Sequence, residues 1–171
     1  EELDAEINEL NKPSLLSKMW NFATTGTARP NAKSSQDGEE PTFGLQYKVR
    51  YQYAPLTASA DSREFCRKMV SAKKIYRKED IEKMNSTVVN YGWAKKGEQT
   101  KGYDIWLYKG GGDCHHFWMR KTYLAKGSKL KPDVGNPNAE ISVNKAKKAG
   151  IKPEVNAKDV AKRPTDMPNN G

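Results

Sequence analysis

Cysteine is scarce in this chain: Cys66 and Cys114 are the only two among 171 residues. That is too few for a disulfide scaffold and points to a reducing compartment. Long apolar runs are missing as well. No stretch approaches the roughly 18 apolar residues of a membrane-spanning helix, and no signal peptide is visible, so neither membrane insertion nor secretion is indicated. Histidine is limited to His115 and His116, and no internal repeat occurs. Apolar residues make up 36% of the chain, below the roughly 45–50% of a typical globular protein, so a good part of it is expected outside any core. The length fits one domain with appendages. A start at Glu1-Glu2 without methionine is the start expected of a fragment of something longer.

What is abundant is positive charge, with a formal net charge of +9. It is unevenly spread. Residues 1–44 hold eight acids against four bases, and the remainder holds 26 bases against 13 acids. Such a field favours an anionic partner, either a DNA backbone or an acidic protein surface, although solvated lysine faces are equally common.

The periodicities divide the chain into four parts. In residues 1–23, Leu3, Ile7 and Leu10, then Leu15, Leu16, Met19 and Trp20 beyond Pro13, predict a broken helical segment. Residues 24–43 contain no leucine, isoleucine or valine before Phe43 and are rich in Thr, Ser, Gly and Pro, the composition of a linker. Residues 44–126 read as an α+β domain with a small antiparallel sheet. Its clearest element is Gly44–Ala54, where Leu45, Tyr47, Val49, Tyr51 and Tyr53 alternate with polar residues, predicting a strand with one buried face. Pro55 ends it. A helix through Phe65, Met69 and Val70 follows, with Ser59 or Asp61 as its cap, and then a second helix over about 77–84. Residues 103–108 and 115–124 read as two strands of a hairpin about a turn at 110–113. Residues 127–171 read as an extended basic arm with a helical turn at 144–149 ended by Gly150.

Three blocks stand in a suggestive order: Ser62-Arg63-Glu64-Phe65-Cys66, a helical Lys78-Glu79-Asp80-Ile81 stretch, and Gly110-Gly111-Gly112-Asp113-Cys114-His115-His116-Phe117-Trp118. This order resembles the Mu F-like minor head proteins of tailed phages, the head-morphogenesis family, in which an S-R-x-F-C block precedes a glycine-rich N-C-R-H-x-W-type block. The likeness covers about Tyr53–Tyr123. Asp113 stands where Asn is usual and His115 where Arg is usual, while His116 fits. The resemblance implies a structural virion component, not an enzyme, that helps build the portal vertex of the head and is in some phages fused to the portal protein. It would act as a symmetric homo-oligomer among other head or portal proteins, with basic surfaces toward packaged DNA.

The residues themselves allow several chemistries. Cys66, Cys114 and His116 are donors of a competent tetrahedral zinc set, because alternate residues of an extended segment share a face while His115 points away. The plainer alternative is no cofactor, with buried thiols and a hydrogen-bonded histidine in the core. A Cys–His nucleophile lacks an orienting acid, and a histidine–metal nuclease would need a third histidine. Ser62 reads as a cap for a helix beginning at Glu64, and Arg63 as a clamp that pairs with a carboxylate or backbone carbonyl. The glycines lack the Lys-Ser or Lys-Thr of a phosphate loop and read as a turn. Aromatic residues interleaved with bases, among them Trp106, Tyr108, Phe117 and Trp118, would suit single-stranded nucleic acid, but a small core needs them first. Phe65 and Trp118 are therefore assigned to the structure.

Overall fold

The computed structural model describes residues 24–98, 100–125 and 130–151. The predicted N-terminal helical segment at 1–23 lies outside the described residues, as do 127–129 and 152–171 of the C-terminal arm.

An antiparallel sheet organises the fold, and its centre is the alternating segment. Strands β1 (Gly38–Glu39), β2 (Gln46–Ala54), β3 (Ile75–Tyr76), β4 (Phe117–Leu124) and β5 (Glu140–Ile141) are joined by helices α1 (Glu64–Ala72), α2 (Lys78–Lys83), α3 (Ile105–Tyr108) and α4 (Val143–Lys148). The strand order is β1-β2-β4-β5, and β3 also pairs with β2. Along one edge β2 meets β4 from Tyr47 opposite Leu124 to Ala54 opposite Phe117. Its other edge is shared by β1 at Gln46–Tyr47 and β3 at Tyr51–Gln52. The α+β class and small antiparallel sheet are those expected.

Period-two alternation puts Val49, Tyr51 and Tyr53 on the core face, where each is at most 2% exposed. The apolar stripe of α1 (Phe65, Cys66, Met69, Val70) packs with them, together with Ile81, Ile105 and Trp118. Aromatic rings dominate the centre. Tyr53 meets Trp118 edge-on at 5.1 Å and Phe65 at 5.9 Å, and Trp106 packs edge-on to Tyr51 at 4.7 Å.

Several expectations are corrected. The alternation of β2 predicted one buried face, yet Arg50 on the opposite face is 0% exposed. It is covered by residues 30–37: Nε donates to the Pro30 carbonyl at 2.7 Å, and Nη1 to Asp37 Oδ1 at 2.6 Å. Residues 24–43 are thus no linker. Tyr76 Oη donates to the Thr25 carbonyl, Arg29 N to Asp80 Oδ2, and Arg77 Nη1 to the Lys33 carbonyl. Polar bonds, supplied by side chains far along the sequence, replace the large apolar residues whose absence suggested a linker.

The hairpin expected from 103–124 does not form. Residues 105–108 make the one-turn helix α3, capped by Asp104, whose Oδ1 accepts from Leu107 N at 3.0 Å. The β-propensity of its aromatic residues gives way to the cap and to burial of Ile105. β4 therefore takes β2 as its partner. Neither Ser59 nor Asp61 caps α1, nor does Ser62; its N-cap is Arg63, whose side chain makes no capping bond, and Ser62 Oγ pairs with Ser59 Oγ at 3.2 Å. In the described stretch 130–151 of the expected extended arm, β5 adds to β4, which was not expected, while the helical turn expected at 144–149 forms as α4, capped by Ser142 and burying Ala146.

Candidate metal and thiol site

Cys66 lies in the first turn of α1, on the stripe that carries Phe65, Met69 and Val70 into the core. Cys114 leaves the glycine turn, and His116 immediately precedes β4. Cys66 Sγ and Cys114 Sγ are 3.8 Å apart, and Cys114 Sγ is 3.8 Å from His116 Nδ1. The predicted trio is brought together, with one donor atom from each residue inside a 4.8 Å span and all three residues buried. His115 is exposed, as the alternation of side chains requires.

Tyr53, at the end of β2, completes the cluster. Its hydroxyl lies 3.4 Å from Cys66 Sγ and 3.5 Å from Cys114 Sγ, and its ring stacks on the His116 imidazole at 5.1 Å. The His116 amide donates to Cys114 Sγ at 3.4 Å. Electrostatically the two thiols diverge. The hydrogen bond from Cys66 holds the Cys114 thiol well down against its burial, helped by the His116 and Tyr53 groups. Cys66, as the donor and also buried, is pushed up. Burial, then the neighbouring sulfurs, pushes the Tyr53 hydroxyl up as well. Two sulfurs this close are an arrangement in which a cation can take a proton's place.

The turn that presents Cys114 is set by backbone geometry. Gly110 is packed so closely that a Cβ there would lie 2.4 Å from Cys66 Sγ and 3.0 Å from Cys114 Sγ. Gly111 has φ +99°, a conformation side chains rarely adopt. Arg63 fastens this turn to α1. Nη1 donates to the Gly110 carbonyl at 2.7 Å, Nη2 to the Gly112 carbonyl at 2.5 Å, and the guanidinium lies 3.7 Å over the Trp93 ring. The Gly110 carbonyl also accepts from Asn90 Nδ2 at 2.9 Å. Phe65 and Trp118 both pack on Tyr53, and Trp118 Nε1 donates to the Ile105 carbonyl at 3.3 Å. Ser62 does not join the trio; it lines a pocket of about 270 Å³ that opens over Arg63, Cys66, Cys114 and His116, with Asp113 and His115 also on its wall.

No family model, curated protein or solved structure matches this chain.

Among the described residues, no helix is long and apolar enough to cross a membrane. Three contributors escaped the sequence reading: Tyr53, Asn90 and Trp93. Tyr53 was legible only as a strand residue, since nothing in its spacing ties it to cysteines 13 and 61 positions away. The chemistry open to the site is that of a buried dithiol with an imidazole beside it, able to hold a metal ion.

Proposed function

We propose that this chain is a non-catalytic assembly module of a tailed-phage head, built into the portal vertex in symmetric copies. The observation that carries this reading is the bidentate bond of Arg63 to the Gly110 and Gly112 carbonyls. It joins the two blocks that resemble the head-morphogenesis family. Arg63, Phe65, Cys66, Cys114 and Trp118 all serve the join between α1, the glycine turn and β4, the use that a rigid building block makes of its distinctive residues. In this reading the metal held by the Cys66–Cys114–His116 cluster is zinc, and it too fastens. The excess of bases beyond residue 44 then faces packaged DNA or acidic neighbouring proteins.

Electron microscopy of the intact particle tests the proposal. The chain is expected at the portal vertex in symmetric copies. Finding it only as a soluble cellular monomer sinks the reading, and divalent-dependent cleavage of DNA that is lost in His116→Ala would favour a nuclease instead.

A further inference from the structure

We infer that Cys66, Cys114 and His116 bind zinc as a three-donor site whose fourth position is open to a small exchangeable ligand in the adjoining pocket. The zinc itself belongs to the reading above; the open position goes beyond it. Two Zn–S bonds of about 2.3 Å meeting at the tetrahedral angle set their sulfurs about 3.8 Å apart. Cys66 Sγ and Cys114 Sγ stand at 3.8 Å. A Zn–S and a Zn–N bond of about 2.1 Å give an edge of about 3.6 Å, and Cys114 Sγ to His116 Nδ1 measures 3.8 Å. Two of the three donor separations thus match edges of a zinc tetrahedron, and the third lies within 4.8 Å.

The surroundings suit bound thiolate. The His116 amide and the Tyr53 hydroxyl both reach the Cys114 sulfur, the outer hydrogen bonds that orient metal ligands. His116 is only 8% exposed, and its Nδ1 lies 3.8 Å from the Cys114 sulfur. A buried imidazole nitrogen with so weak a partner is costly, and a metal–nitrogen bond at Nδ1 supplies a stronger interaction. Two sulfurs and a nitrogen select zinc over the oxygen-seeking magnesium and calcium.

The Gly110 backbone presses against both sulfurs. All three donor residues also line the 270 Å³ pocket, whose wall does not include Gly110. His115 and Asp113 are on its wall but exposed, and neither belongs to the trio. The fourth ligand is therefore water in the isolated chain, replaceable by a small anion or an imidazole.

Cobalt(II) titration of the full-length, reduced chain tests both parts. One equivalent should produce sulfur-to-cobalt charge-transfer absorption and the visible bands of four-coordinate cobalt, and added azide should shift those bands. Cys114→Ser and His116→Ala should lower cobalt affinity by more than about tenfold, whereas His115→Ala and Asp113→Ala keep the charge-transfer and four-coordinate bands. Absence of charge-transfer absorption at saturating cobalt overturns the metal site. Bands indifferent to azide, or lost in His115→Ala or Asp113→Ala, overturn the open position while leaving the metal in place. The wild-type titration needs no variant to fold, and placement in a particle is measured separately, so either proposal can fail alone.

Discussion

Arg63 and Gly110 are 47 residues apart in the chain and joined by a 2.7 Å bond from guanidinium to carbonyl. With the second bond to Gly112, the planar fork ties the turn to α1 beside the Asn90 bond to the same Gly110 carbonyl. Arg63→Ala should cost about 2–3 kcal/mol, because it removes charge-assisted bonds to half-buried carbonyls. Arg63→Lys keeps the charge but neither the paired donors nor the flat contact over Trp93, and should recover less than half of the loss. Urea midpoints at constant slope measure both. A lysine variant as stable as the native chain would mean that charge alone matters here.

Gly110 makes a sharper test of the sulfur packing. Gly110→Ala introduces a methyl 2.4 Å from Cys66 Sγ, and overpacking of this kind costs about 1–3 kcal/mol. Shortening Cys66 to alanine frees that space. The double variant Cys66→Ala/Gly110→Ala should therefore lose less than the sum of the single losses, by at least about 0.5 kcal/mol in a double-mutant cycle. Strict additivity would show that the methyl is accommodated elsewhere.

How much of this was legible in the sequence depended on the range of the interaction. The alternation of Val49, Tyr51 and Tyr53 encodes β2 locally, and the two-residue spacing of Cys114 and His116 encodes a shared side. Both were readable. Residues 103–108 misled because a short aromatic run suits a strand or a helical turn equally, and the Asp104 cap decided it. Residues 24–43 misled for a different reason. Their order comes from Glu79, Asp80, Arg50 and Arg77, tens of positions away, and no local composition records such bonds.

Protonation should loosen that segment first. Burial pushes the Glu79 carboxyl up, but bonds from the Ser35 amide, its own amide and the Ser34 and Ser35 hydroxyls outweigh it and hold it at about 2, against an ordinary 4.5. A carboxyl depressed on folding contributes stability above its unfolded value and loses it as pH falls toward its folded value. The loss should fall between pH 4.5 and about 2. Glu79→Gln should flatten that part of the stability–pH curve. An unchanged slope in the variant would assign the acid sensitivity to other carboxyls.

The two histidines separate a buried role from an exposed one. His116 stacks on Tyr53 and is 8% exposed, so His116→Ala leaves a cavity beside both sulfurs and should cost about 1–3 kcal/mol. His115→Ala should stay within about 0.5 kcal/mol, since the ring is exposed. Equal losses would mean that the neighbours are not divided between core and pocket.

Arg50 tests whether residues 24–43 belong to the folding unit. Its guanidinium is fully buried between β2 and residues 30–37, bonded to the Pro30 and Ala32 carbonyls and paired with Asp37 at 2.6 Å. Removing one member of a buried pair leaves the other uncompensated, so Arg50→Ala should cost about 3–5 kcal/mol. Arg50→Met fills the space without the donors and should lose nearly as much, because the stranded groups are polar. The decisive readout is local. If 24–43 fold with the sheet, amide exchange at Ser34 and Ser35 in the native chain tracks that of β2, and in Arg50→Ala both accelerate together. If only 30–37 accelerate while β2 keeps its protection, the segment is a separately opening cover and the sheet is stable without it.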